Sequence, residues 1–369
     1  MNILLINYME TTAAGGINKT VREIARHLAE RNHSVIVLQP NVSNFLSEET
    51  YDGFKILRVK SRFGNYFYDF SPEIFFFLIK NIKRLNPDII HVHGYHTLFS
   101  PEVIFILKNV LKVNVPIVFT CHYDPLNRNT LAGKLFGNFY NKFIGAKILK
   151  STSQIVSVSN YEANNINNIL KCENIIVIPH GVDLIDISKS KKKKDFIKLL
   201  YVGYLLDYKG VQYIIGSLHE LIYLHKIQNV RLTIVGEGQY KKNLLIYSKR
   251  LKVDDYIEWK PFLPSSKVMQ EMKNADIFLL LSKSEGYGIV VAEALAMGTP
   301  AIVTNGTALE EFTKEQGCVG VDFPPKLEEV AELILNIHDN GLYVGPFSNK
   351  IRTWDQVAEE YERTYLRLK

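Results

Sequence analysis

The 369-residue sequence predicts an α/β protein of two Rossmann-like, doubly wound domains. Three observations carry this. Short apolar runs alternate with amphipathic stretches along almost the whole chain, the rhythm that builds a sheet covered by helices on both faces. The rhythm pauses at residues 186–194, DISKSKKKK, a polar and basic run from which no core can be made. It then restarts with the same unit of strand, glycine loop and helix, and the length is too great for one ordinary core.

The elements follow in order. Ile3–Asn7 reads as a strand, Gly15-Gly16 as a loop, and the next stretch as a helix with Val21, Ile24, Ala25 and Leu28 on one face. Val35–Leu38, Asp88–Val92, Pro116–Thr120 and Gln154–Val158 are continuous apolar runs, as parallel strands buried on both faces should be. In the second half, Ile197–Val202, Arg231–Val235, Ile257–Trp259, Asp276–Leu281 and Pro300–Val303 are the expected strands. A helix near Trp354–Lys369 comes last. The expected division is 1–185, a linker at 186–195, 196–350, and a terminal helix over 351–369. Two such domains facing each other across a cleft would line it with the loops beyond the carboxyl ends of their strands.

Bulk composition excludes several classes. Hydrophobic residues make up 47% and charged residues 22%, a globular balance. A formal net charge of +6 suits weak attraction to anionic ligands or membranes better than dedicated nucleic-acid binding. Three cysteines without a CxxC spacing argue against a disulfide framework and a thiolate metal site, and for a reducing compartment. The N-terminus reads as a strand rather than a signal peptide, and the longest apolar run, Ile74 to Ile79, is far short of a span. The expected location is cytoplasmic, with peripheral contact at the inner face of the membrane as an option.

The chemistry concentrates at Ser284–Glu293, SEGYGIVVAE. A strand ends, a short loop carries Gly286 and Gly288, and a helix begins near Ile289. Glycines let the backbone approach a ligand closely, and unpaired N–H groups at Gly288, Ile289 and Val290 with the helix dipole suit a diphosphate. Glu285 and Glu293 beside a diphosphate would repel it unless they bind hydroxyls, Glu285 those of a sugar and Glu293 those of a ribose. The plainer reading is a charged loop and a solvated helix face.

Here the chain resembles glycosyltransferase family 4, retaining enzymes of the GT-B fold. Glu285 and Glu293, followed by ALAMGTP over 294–300, look like that family's signature. Gly15-Gly16 matches its N-terminal glycine loop, Thr120-Cys121-His122 its central histidine, and IPHGVD over 178–183 its segment usually written IPNGVD. Tyr201-Val202-Gly203 with Lys209-Gly210 matches its first C-domain loop, and the Trp354 helix resembles the one that crosses back to the N-domain. The resemblance implies a nucleoside diphosphate sugar as co-substrate, no other cofactor and no metal. It implies catalytic roles for His122, Lys209 and Glu285. Gly15, Gly16, Gly203, Tyr204, Lys209, Gly236, Phe262, Glu285, Gly286, Tyr287, Gly288, Ile289, Val290 and Glu293 would bind the donor. His93, His122 and Asp183 would face a glycan or lipid-linked acceptor. Gly16 would bring backbone N–H to the diphosphate, and Lys209 would neutralise it as it leaves.

One departure stands out: Tyr204 occupies the position where the family usually has an arginine. It leaves two other readings open, a GT-B epimerase or phosphorylase and a catalytically silent sugar-nucleotide-binding subunit. His91 and His93 share a strand face and could be read as metal ligands, although no carboxylate or cysteine follows at ligand spacing. Finally, residues 128–150 carry Arg128, Lys134, Lys142, Lys147 and Lys150, no acid, and interleaved Leu131, Leu135, Phe136, Phe139, Tyr140, Phe143 and Ile144. The pattern is that of a helix docking on an anionic membrane, or of a core helix with a solvated lysine face.

Overall fold

The structure is a computed structural model. It describes the chain except residues 14, 42–44, 62–70, 96, 124–136, 138, 173, 184–195 and 346–349, and of Ile169 the backbone alone. The expected linker therefore lies outside the described residues, as does most of the first half of the 128–150 stretch. The chain divides into two units, Met1–Gly181 with Thr353–Lys369, and Val182–Arg352.

Unit 1 opens with β1 (Asn2–Ile6), α1 (Gly16–Glu30), β2 (Ser34–Asn41), β3 (Glu48–Tyr51), β4 (Phe54–Lys60) and α2 (Pro72–Leu85). It continues with β5 (Ile89–His93), α3 (Phe99–Phe105), β6 (Ile117–Thr120), α4 (Ala146–Ser151), β7 (Gln154–Ser157), α5 (Asn160–Leu170) and β8 (Ile175–Val177). The strands form one eight-stranded sheet in the order β3-β4-β2-β1-β5-β6-β7-β8, parallel except for the β3–β4 hairpin. β1 lies between β2 and β5, so the order reverses at β1 and opens a crevice beyond its end. α1 buries Val21, Ile24, Ala25 and Leu28, the four positions its spacing places on one face. The β3–β4 hairpin has no counterpart in the expected strands. Glu48–Tyr51 is EETY, an exposed edge with no apolar run to reveal it.

After β9 (Gly181–Val182), unit 2 runs β10 (Ile197–Val202), α6 (Val211–His219), β11 (Val230–Val235), α7 (Lys241–Arg250), β12 (Ile257–Lys260) and α8 (Ser265–Asn274). Then come β13 (Ile277–Leu280), α9 (Ile289–Ala296), β14 (Ala301–Thr304), β15 (Cys318–Val321) and α10 (Leu327–Asn340). Its six strands are all parallel in the order β12-β11-β10-β13-β14-β15. The switch falls between β10 and β13, where Leu199 pairs with Ile277 and Leu200 with Phe278. β16 (Arg352–Thr353) pairs with β9 where the chain passes between units, and α11 (Trp354–Leu368) ends the chain inside unit 1.

α11 is held there by burial and by charge. Trp354, Tyr361 and Tyr365 are fully buried. Arg31 reaches Asp355 at 3.0 Å and Glu362 at 3.1 Å, and His33 reaches Glu362 at 2.7 Å. Thr353 caps the helix and Gln356 returns the bond, a capping box. The three cysteines are buried and unpaired. No described helix is long and apolar enough to cross a membrane.

Candidate active site

In unit 2 the site grows from the switch point. The loop after β10 carries Gly203 to Gly210 and the loop after β13 carries Leu281 to Gly288. Lys283 N–H donates to the Tyr208 carbonyl at 2.8 Å, joining the two loops. Lys209 Nζ stands 2.6 Å from Glu285 Oε1, and Ser282 Oγ donates to the same oxygen at 3.1 Å. Both charged side chains are mostly covered, 17% and 14% exposed. Burial pushes the Tyr201 hydroxyl well above its ordinary value, and the Glu285 charge adds to the shift. Ser282 is a partner that the sequence pattern did not reveal.

Glycine is needed at two places. Gly288, at φ +90°, precedes the first turn of α9, and a Cβ there would lie 2.3 Å from Leu309 Cδ2. With no side-chain cap, the N–H groups of Ile289 and Val290 have no intrahelical acceptor. Gly236, after β11, packs so that a Cβ would meet the Gly203 carbonyl oxygen at 1.9 Å. Glu293 sits half-buried one turn into α9.

Tyr204 and Phe262 meet edge to face with ring centroids 5.0 Å apart, and both are exposed, 44% and 43%. They form an aromatic ledge beyond the ends of β10 and β12. Tyr287 goes the other way. Its ring is buried against Phe312, Lys350 Nζ lies 4.5 Å from its centre, and its hydroxyl donates to the Lys350 carbonyl. The Tyr287 side chain is thus a core group, packed on Phe312 and Lys350. Asp183 is exposed on unit 2.

Unit 1 holds the other expected residues. Gly15 precedes α1 without a side-chain cap, and Gly16 is exposed. Thr20 Oγ1 donates to the Gly16 carbonyl at 2.8 Å and meets His180 Nδ1 at 3.1 Å. His122 follows β6 at φ +51°, in the left-handed region, and stacks between His93 and His180, each 5.6 Å away. His93 Nδ1 lies 3.3 Å from His122 Nε2. Burial lowers the His122 pKa to about 3, and lowers that of His91, beside His122, to about 3 as well. His91 bonds Tyr365 and Thr120 through its two nitrogens, at 2.6 and 2.7 Å, so it cannot serve as a metal ligand. Among the described residues no group of three His, Cys, Asp or Glu side chains could hold a metal ion.

Residues 14–185 match the family described as Glycosyltransferase Family 4, and residues 184–353 match Glycosyl transferases group 1. The chain belongs to glycosyltransferase family 4. An uncharacterized glycosyltransferase of Methanocaldococcus jannaschii is 25% identical over 95% of this chain and 94% of its own length. The alpha-monoglucosyldiacylglycerol synthase of Acholeplasma laidlawii is 26% identical, covering 78% of this chain and 76% of its own. Among solved structures, sucrose-phosphate synthase from Thermosynechococcus elongatus aligns with a TM-score of 0.76 at 16% identity, over 99% of this chain and 98% of that one. HepE of Anabaena, solved in complex with UDP and glucose, aligns at 0.73 and 16%, over 99% of both chains. These likenesses place the fold in the GT-B class, and the chain is a glycosyltransferase.

Proposed function

We propose that this glycosyltransferase is retaining and metal-independent, and moves a sugar from a nucleoside diphosphate sugar to a hydroxyl acceptor. The observation that carries the proposal is the Lys209–Glu285 pair at the switch point of unit 2, beside the uncapped start of α9. The Ile289 and Val290 N–H groups take the diphosphate, and Lys209 offsets the charge that grows on it as the glycosidic bond breaks. Glu285 accepts from a sugar hydroxyl, Glu293 from the ribose, and the Tyr204–Phe262 ledge takes the base. By the family resemblance His122 contacts the transferred sugar or the acceptor, and the leaving oxygen assists deprotonation of the acceptor on the same face.

HepE, solved with UDP and glucose, makes UDP-sugars the first donors to try. A thermal-shift screen against UDP-, GDP- and ADP-sugars identifies the donor, since a ligand that binds only the folded state raises its stability. With that donor, Glu285→Ala lowers transfer by about 10²-fold or more while the fold persists. Wild-type turnover in the variant would remove Glu285 from the mechanism. Donor binding without transfer to any acceptor would mark a silent binding subunit.

The acceptor proposal is a lipid-linked hydroxyl at an anionic membrane, a class to which the Acholeplasma relative's name also points. Phe139 and Phe143 are exposed, 55% and 48%, and pack on each other with centroids 4.8 Å apart. Lys142 lies over the Phe143 ring, and Lys147 and Lys150 are exposed nearby. Tyr140, expected on the same stripe, turns inward instead and donates to the carbonyls of Tyr95 and Thr97. Co-sedimentation with vesicles containing anionic lipid at low salt is the test, and absence of binding would defeat this acceptor.

A further inference from the structure

Four imidazoles form a column in unit 1. His91 and His93 are 4.1 Å apart, and His93–His122 and His122–His180 are each 5.6 Å apart, centroid to centroid. Burial keeps His91, His93 and His122 neutral. A neutral imidazole has one N–H and one lone pair, so every contact constrains which nitrogen holds the hydrogen.

At one end the choice is made by Thr20. Its single hydroxyl hydrogen goes to the Gly16 carbonyl, which can only accept. Toward His180 Nδ1 the hydroxyl must therefore accept, and His180 carries its hydrogen on Nδ1. Further along, one of His93 Nδ1 and His122 Nε2 donates across 3.3 Å. His93 Nε2 is buried without a hydrogen-bond partner. If Nδ1 accepted, the His93 N–H would lie on that orphaned nitrogen, a buried donor with nothing to bind. If Nδ1 donates, only a lone pair is left unpaired, the cheaper of the two losses. His93 therefore donates, His122 Nε2 accepts, and the His122 hydrogen sits on Nδ1. No described residue bonds that nitrogen, and the ring is partly exposed.

We infer that His93 is a positioning residue that locks His122 as its Nδ1–H tautomer, so that His122 presents a hydrogen-bond donor, not a base, to the sugar or acceptor hydroxyl. The role at the sugar rests on the glycosyl-transfer reading above; the tautomer does not. The left-handed backbone at His122 turns the ring into the column between His93 and His180.

Two-bond 1H–15N correlation spectra of the full chain labelled with 15N-histidine read each tautomer directly. The expected result is Nδ1–H at His93, His122 and His180, the minor form of free imidazole. His93→Asp puts an acceptor where the donor stood, and the His122 hydrogen moves to Nε2. His93→Asn, whose amide nitrogen takes the place of Nδ1, keeps the native pattern. An Nε2–H signal at His122 in the native chain overturns the inference, as does an Asp variant with His122 unchanged. If the Asp variant does not fold, the native and Asn spectra decide alone. Because no turnover is needed, a failure of the glycosyl-transfer reading appears in activity assays and not in these spectra.

Discussion

At the scale of single residues, the Lys209–Glu285 contact answers a difficulty in placing carboxylates beside a diphosphate. With Lys209 Nζ at 2.6 Å, Glu285 is matched by a neighbouring positive charge, and its lone pairs remain available to hydroxyl groups. Lys209→Met should then harm the reaction twice, by leaving Glu285 unmatched and the leaving group uncompensated. Transfer should fall about 10²- to 10³-fold in steady-state assays with the identified donor. A second prediction concerns the loop before α1. Arg58 is almost fully buried and grips Glu10 at 2.9 and 3.0 Å, with Glu49 at 2.7 Å. Burial pushes the Glu10 pKa up, but hydrogen bonds from Arg58 and Thr12 outweigh it and the net shift is down. Arg58→Met strands that carboxylate, and denaturant unfolding should show a loss of about 3–5 kcal/mol. Glu285 and Glu293 stood out in the sequence as carboxylates flanking a glycine turn and a helix start, and Lys209 through the family resemblance, but that Lys209 and Glu285 touch was not legible across 76 positions. Thr20 and His180 were not legible as a pair, since 160 positions separate them and only the fold closes that distance. The inward packing of the Tyr287 side chain was not legible, because Phe312 and Lys350, which hold it, lie far along the sequence.

At the scale of elements, the strands that line the sites were readable because both faces of a parallel sheet are covered and their sequences become unbroken apolar runs. Boundaries moved by a residue or two, as at β13, Ile277–Leu280, where Asp276–Leu281 was expected. α9 was also readable, from Gly288 before it and the apolar residues within it. The direction of aromatic side chains on short helices was harder. Around Asn141–Gly145 the turn widens to a π form, which shifts the face, buries Tyr140 and leaves Phe139 and Phe143 outside. Replacing both phenylalanines with serine should weaken vesicle binding without altering donor-induced thermal shifts. For α11, the capping box at Thr353 makes a local prediction. Thr353→Ala should cost about 1 kcal/mol, measured by denaturant titration.

At the scale of the whole molecule, buried neutral histidines link stability to acidity. His91 is fully buried, and burial followed by the nearby His122 lowers its pKa to about 3, against about 6.5 when unfolded. Above that unfolded value the two states hold the same protons and nothing is lost. As pH falls below it, the unfolded chain gains a proton that the native chain refuses, and stability drops by about 1.4 kcal/mol per pH unit until about pH 3. Urea titrations followed through Trp354 in a Trp259→Phe background should show stability falling over this range, with His93 and His122 adding to the slope, and His91→Gln should flatten it by one proton. The same buried contacts of His91 with Tyr365 belong to α11, residues far along the chain from the rest of unit 1. This has a consequence for the order of synthesis. As the ribosome extends the chain, unit 1 emerges first but lacks the aromatic side chains that close its core. All of unit 2 must be made before Trp354, Tyr361 and Tyr365 arrive. A fragment of residues 1–181 should therefore remain incompletely folded by circular dichroism and protease resistance, and gain structure when a peptide of residues 353–369 is added in trans. Nascent unit 1 would then wait, its core open, until all of unit 2 had been made and the closing helix arrived.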